Sequence, residues 1–287
     1  MKTTTGRWIA WTCAAMMFGT GLAGSVQAAP PQDLRLYVFD CGRLDSLDAA
    51  QFIPGQGLEG QKLSLVNRCY LIQHPQGTLL WETGLPVTAA FSLTRTLIKV
   101  LTLGGVNQRI DRPLKDQLTE IGVSPGEIDF LALSHVHDDH AGTANDFRAS
   151  TWLVQKAELD GVASGANQGV NPLLFATLTD RIVLRGDFDV FGDGRVVILS
   201  TPGHTTGHQS LLVDLPKTGP VVLSGDLYHT QRNRDLQVFP VFNANQAQSL
   251  RSAQRIEALL LELGATLWIQ HDPDSNRGIA LSPQFFE

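Results

Sequence analysis

Cysteine is scarce, with three in 287 residues, and one of them, Cys13, falls in the first segment. That leaves Cys41 and Cys69, too few for a disulfide scaffold. One bridge in an oxidising compartment and two buried thiols beside the apolar runs 36–39 and 70–72 are both open. Charge is also sparse: 17% of residues are charged, the formal net charge is -6, and no run of Lys or Arg occurs. Such a chain offers no footing for nucleic acid. No repeat, low-complexity tract or internal linker interrupts it, so a solenoid or a string of tethered domains is excluded. What is plentiful is apolar character, at 43% of residues, enough for one large core.

The first residues have the form of an export signal. Lys2 and Arg7 give a positive start, residues 8–22 are apolar without charge, and Val26-Gln27-Ala28 resembles a peptidase site. The apolar part is short for a membrane span and is loosened by Gly19, Gly21 and Gly24. Residues 1–28 are therefore expected to be a signal peptide, with 29–287 as one domain, secreted and periplasmic, without a stable membrane anchor after cleavage.

The chain turns on Ser134-His135-Val136-His137-Asp138-Asp139-His140-Ala141-Gly142. Three of only eight histidines fall within six positions there. The apolar run 130–133 reads as a buried strand that ends at this cluster. In extended chain His135 and His137 point to one side, while Asp139 and His140 come where the chain turns toward a second position. Imidazole and carboxylate suit zinc, or iron or manganese. Three further groups sit just past apolar strands: His204 in Thr201-Pro202-Gly203-His204, Asp226 in Ser224-Gly225-Asp226, and His271 after 267–269. Five histidines and two aspartates suffice for two divalent ions with one bridging carboxylate, which two adjacent cations need against their mutual repulsion.

Elsewhere, strands are expected at 34–39, 69–72, 78–81, 152–154, 182–184, 188–190, 196–199, 210–213, 221–223 and 266–270. Residues 43–62 read as a polar access loop. His74 reads as solvated, on the turn between 69–72 and 78–81. A helix over 113–121 takes Asp111 as its cap, and a short one begins at Lys156. The clearest helix runs from Asn245 to Leu263, with Leu250, Ile256, Leu260 and Leu263 on its apolar face and Gly264 as its stop. The apolar residues of 91–103 read either as a core helix or as a cap over the site. His208 either orients a ligand or packs at a strand start. Asp138 is not expected to be a ligand, and Asp272 serves either His271 or the turn before Pro273.

His135-x-His137-x-Asp139-His140, Gly203-His204, Gly225-Asp226 and His271 resemble the metallo-β-lactamase superfamily in order and spacing, from about Leu34 to His271. That resemblance implies an α/β fold, an αβ/βα sandwich of two mixed sheets flanked by helices. It implies that His135, His137 and His204 hold one ion, that Asp139, His140 and His271 hold another, and that Asp226 bridges them, zinc being the expected metal. True metallo-β-lactamases lack an aspartate at the bridging position. Asn67-x-Cys69-Tyr70-Leu71-Ile72, the run from Leu80 to Pro86 with Glu82, and Gln270-His271-Asp272-Pro273 are similar to the N-acyl-homoserine lactone lactonases, the quorum-quenching group. The implied reaction is attack of a metal-bridging hydroxide on a lactone or ester carbonyl of a small molecule, with Asp139 passing a proton to the leaving alkoxide. That group commonly carries a tyrosine three residues after the bridging aspartate. Here the position is His229, with Tyr228 one residue early, so both are candidate oxyanion donors. The alternatives are a thioesterase of the glyoxalase II kind, a phosphotriesterase, a β-lactamase, or a non-catalytic metal-binding protein. Arg232 and Arg234 are the only bases that follow Asp226 closely enough to serve a glutathione carboxylate.

Overall fold

Apolar residues on both phases of the strands require a sheet buried on both faces, and the fold meets that demand with four layers. The computed structural model describes residues 33–87 and 107–287. The expected signal segment and the apolar stretch 91–103 lie outside the described residues.

One mixed sheet has the order β13-β1-β2-β3-β5-β6-β7, with β4 (Asn107–Arg109) also paired to β1. Its strands are β1 (Arg35–Asp48), β2 (Lys62–His74), β3 (Gly77–Trp81), β5 (Phe130–Ala132), β6 (Thr151–Gln155), β7 (Arg181–Leu184) and β13 (Phe285–Phe286). The second sheet has the order β12-β11-β10-β9-β8. It comprises β8 (Phe188–Asp189), β9 (Val196–Ser200), β10 (Gln209–Leu215), β11 (Gly219–Leu223) and β12 (Thr266–Trp268). β3, β5, β6 and β7 run parallel, as do β11 and β12.

Alternation along each strand sorts the layers. Leu36, Val38, Leu79, Trp81, Val221 and Leu223 join the core between the sheets. Their neighbours Tyr37, Phe39 and Leu80 face outward, to a layer that includes α2 (Leu114–Glu120). Val222, Leu212 and Leu267 face the long helix on the other side. The result is two mixed sheets face to face with helices outside, the sandwich expected from the sequence.

Several details depart from the sequence reading. β1 continues to Asp48 and pairs with β2 as far as Lys62, so the two ends of the expected access loop belong to a hairpin. Register shifts between Asp40 and Gly42 and between Leu44 and Leu47 break the period of two that would have revealed it. Asp48 then caps α1 (Ala49–Phe52) by accepting the Ala50 N–H. His74 is buried: its Nε2 donates to Asp193 Oδ2 at 2.9 Å, its Nδ1 accepts the Gln76 N–H, and its ring stacks on Phe191. Asp111 does not cap α2; it pairs with Arg109, and Pro113 stands at the N-cap. Cys41 and Cys69 form a disulfide across β1 and β2, Cα–Cα 5.8 Å apart. Closing a loop of this size contributes roughly 3–4 kcal/mol in the chain-entropy account.

The helix expected from Asn245 is present as Gln246–Leu263, with Asn245 Oδ1 accepting the Gln248 N–H and Gly264 ending it in the left-handed region. Its buried face is turned from the one expected: Leu250 and Leu263 are exposed, while Ser249, Ser252, Ala253, Ile256 and Leu260 are buried. The two serines explain the turn. Ser252 Oγ donates to Pro202 O at 2.7 Å, and a Cβ on Gly203 would stand 2.3 Å from Ser249 N. The helix is a bed for the loop that carries His204. It is α6 in chain order, after α3 (Asp138–Ala141), α4 (Lys156–Ser164) and α5 (Gln231–Leu236).

Candidate metal centre

The strand ends deliver their polar groups to one edge of the sandwich. β5 leads into Ser134–His137, and His137 then stands at the N-cap of α3, accepting the His140 and Ala141 N–H groups at its carbonyl. This change from extended chain to helix sends His140 away from His135 and His137. Gly142 passes so close to the next segment that a Cβ would sit 2.3 Å from Leu85 C, and its N–H donates to Gly84 O at 2.8 Å. Gly225, at φ +51, comes equally close, since a Cβ there would meet Ser134 Cβ at 2.5 Å.

The seven predicted residues fall into two groups. His135, His137, His204 and Asp226 bring one ligand atom each within 4.8 Å of one another, and so do Asp139, His140 and His271. In the first, His137 Nδ1 lies 2.7 Å from His135 Nε2 and 3.1 Å from His204 Nε2. In the second, His140 Nε2 and His271 Nε2 are 3.2 Å apart. Asp226 divides its oxygens between them. Its Oδ2 is 3.2 Å from His204 Nε2 and 3.7 Å from His135 Nε2, and its Oδ1 is 2.9 Å from His271 Nε2 and 3.2 Å from His140 Nε2. Asp139 Oδ2 is 3.7 Å from both His140 Nε2 and His271 Nε2.

Each imidazole spends its other nitrogen on an outer partner, which fixes the tautomer and leaves a lone pair facing inward. His204 Nδ1 donates to Asn243 Oδ1 at 2.9 Å, His271 Nδ1 to Val66 O at 2.7 Å, and His137 Nε2 to Gln168 O at 2.8 Å. His140 Nδ1 is 3.2 Å from Glu82 Oε1, and His135 Nδ1 is 3.0 Å from Ser134 Oγ. Asp226 Oδ1 is buried between His271 Nε2 and His140 Nε2. Bare acceptors converging at these distances repel unless a cation lies between them; a tetrahedral zinc site would hold nitrogens about 3.3 Å apart. The seven residues fit a dinuclear metal site.

The electrostatics agree. Burial first, then neighbouring imidazoles, keep His135 well below the usual histidine range, and burial with His204 holds His137 down to about 4. Both stay unprotonated, as ligands must. Burial alone would raise the Asp226 carboxyl, but His229, His140, His271 and His204 outweigh it and hold it well below the carboxylate range. Burial likewise pulls His140 and His271 down, and the carboxylates, Asp226 foremost, lift them above the ordinary value. Protons on those two rings compete with an ion.

His208 holds the backbone of Asp226. Its Nε2 accepts the Asp226 N–H at 2.9 Å and its Nδ1 donates to Thr201 O at 3.0 Å. Burial, then His204, takes its ring down to about 3. A folded value below the unfolded value of about 6.5 means the unfolded chain takes the proton first. The stability that His208 contributes is thus complete above about 6.5 and is lost as pH falls toward about 3. The gap in unfolding midpoint between the wild type and His208→Gln should therefore narrow over that range. A gap independent of pH would contradict this assignment.

Two sequence expectations need correction. Tyr228 is not at the metal edge: its hydroxyl accepts from Gln237 Nε2 at 2.8 Å, and its ring stacks on Phe239 in the layer under α6. His229 is at the edge, but its Nε2 donates to Asp226 Oδ2 at 3.0 Å. Burial keeps this ring below the ordinary value, and its Nε2 is engaged by the carboxylate. Asp138 belongs to neither ligand group. Asp272 serves turns, accepting the Asp274 and Gln231 N–H groups. The sequence reading missed Asn243, Gln168 and Glu158. Their partners are distant in the chain, and nothing local marks them.

Fold and site together define a metal-dependent hydrolase. Comparison with known proteins agrees: the family model of the metallo-beta-lactamase superfamily matches residues 65–263. The chain belongs to that superfamily. It is 31% identical over 231 residues to an N-acyl homoserine lactonase of a Bacillus species, covering 79% of this chain and 89% of the relative. It is 29% identical over 267 residues to the N-acyl homoserine lactonase AttM of Azorhizobium caulinodans, covering 89% and 99%. A solved N-acyl homoserine lactone hydrolase, with N-hexanoyl-L-homoserine at its catalytic metal centre, superposes with a TM-score of 0.77 at 24% identity, over 88% of this chain and 98% of that one.

Proposed function

We propose that this protein is an exported dinuclear zinc hydrolase that opens the lactone ring of N-acyl-homoserine lactones, a quorum-quenching activity. The observation that carries the reading is the division of Asp226 between two imidazole groups, in a chain of which relatives named as lactonases cover 79% and 89%. His135, His137 and His204 would hold one ion, Asp139, His140 and His271 the other, and Asp226 would span both. When bound, two such cations supply Lewis acidity toward the carbonyl oxygen and a water of near-neutral pKa. The chain supplies the rest. His229 steadies the spanning carboxylate through its Nε2–H. Asp139, with its side chain 22% exposed, would take the proton released by the attacking water and pass it to the departing alkoxide.

A glutathione thioester is less well served. Arg234, one of two bases near Asp226, forks onto Glu257 at 2.8 Å through two nitrogens. Among the described residues no helix is long and apolar enough to cross a membrane.

Two experiments test the reading. Zinc-loaded protein offered lactone, thioester, phosphotriester and β-lactam substrates should turn over N-acyl-homoserine lactones with the highest kcat/KM. A longer acyl tail should raise it by no more than about 0.8 kcal/mol per buried methylene. Efficient thioester or β-lactam turnover with no lactone opening overturns the assignment. Export rests on Lys2, Arg7, the apolar core and Val26-Gln27-Ala28. N-terminal sequencing of protein recovered from expressing cells should start at Ala29, and a chain still beginning at Met1 refutes cleavage.

A further inference from the structure

Glu158 is a buried acid that the proposed chemistry leaves unused. It lies in the first turn of α4, 2% exposed. Its Oε1 accepts the N–H of Val136, the residue between His135 and His137, at 3.1 Å. Its Oε2 accepts Thr205 Oγ1–H at 2.7 Å and the Gly207 N–H at 3.0 Å, on the loop that carries His204. One carboxylate thus ties together the two loops that bring His135, His137 and His204 to a common point. Burial raises the Glu158 carboxyl, while the hydrogen bonds from Thr205, Val136 and Gly207 pull against that rise.

The contact is built to be close. A Cβ on Gly207 would stand 2.1 Å from Glu158 N, so only glycine lets the loop lie on the helix. The same loop is pinned on either side of the carboxylate: Thr206 N–H donates to Asn167 Oδ1 at 3.0 Å, and Thr206 Oγ1 donates to Ala157 O at 2.7 Å. The second group of ligands is held by other means. Thr83 donates to His140 O, Asn67 to Asp139 O, and Glu82 and Val66 engage the rings of His140 and His271.

We propose that Glu158 is a positioning residue for the first ion alone, setting its affinity by locking the His135–His137 loop to the His204 loop. The inference rests on the dinuclear reading above. Removing a hydrogen-bonded partner behind metal ligands typically weakens metal binding by about 10–100-fold. In Glu158→Gln, one oxygen becomes an NH2 group facing a backbone N–H, so either the Val136 or the Gly207 bond is lost while volume is kept. Thr205→Val removes one bond to the carboxylate without touching Glu158, and Thr205→Ser retains it.

The test is chelator titration of the zinc-loaded full chain, read as zinc retained per chain. The step belonging to the first ion is identified as the one abolished in His204→Asn. In Glu158→Gln that step should move to about 10–100-fold lower chelator, with the other step unmoved. Thr205→Val should move the same step in the same direction, and Thr205→Ser should restore it; this pair decides the matter if Glu158→Gln does not fold. A merely structural role would shift both steps together and would not be rescued by serine. Equal movement of both steps, or of neither, overturns the proposal. A wild type that holds only one zinc per chain fails the dinuclear reading itself, which is a different outcome.

Discussion

Asp226→Asn is expected to empty one metal position and to lower kcat by more than about a hundredfold. Among the described residues the carboxylate is the only group whose oxygens face both sets of imidazoles, 3.2 Å from His204 and 2.9 Å from His271. An amide keeps one acceptor and turns an NH2 toward the other set. It also removes the negative charge that separates two cations. The backbone should not suffer, because the Asp226 N–H still meets His208 Nε2. Metal analysis and steady-state kinetics on one preparation check this, and two retained ions with activity within tenfold of the wild type would count against it.

Asp139→Asn should lower kcat on a lactone by about 10²–10⁴, the range of a lost general acid. The residue is also a candidate ligand, 3.7 Å from both His140 and His271, so metal content has to be measured in the same sample. The diagnostic feature is the leaving group. An aryl ester, whose leaving oxygen needs no proton, should lose far less activity than an alkyl lactone. Equal losses on both substrates, with both ions present, would remove Asp139 from proton delivery and leave it only a ligand.

The clustering of the seven residues was legible because histidine is rare in this chain and each group follows an apolar strand, so spacing alone implied convergence. Local phase was not legible. After the 3-10 turn Gly225–Leu227 the chain becomes extended at Tyr228, and only the geometry of that turn decides that His229 reaches Asp226 while Tyr228 joins the layer under α6. The β1–β2 hairpin was hidden for a related reason, because two bulges shift the alternation that marks a strand. His74 and Glu158 were unreadable on different grounds. The partner of His74, Asp193, is 119 residues away, and those of Glu158 are 22 to 49 away. A glutamate in a helix's first turn otherwise reads as ordinary complementarity to the helix dipole. The apolar face of α6 was misjudged because two serines outcompete two leucines for burial, each having a partner on the His204 loop or its flank.

The most direct test of the central claim is a count of metal ions per chain in purified, zinc-equilibrated protein. Two ions per chain, falling to one when either His204 or His271 is replaced, is the result that the division of Asp226 between its two imidazole groups predicts. One ion per chain, lost entirely with either replacement, would mean that the seven residues form a single site, and the dinuclear account would be wrong.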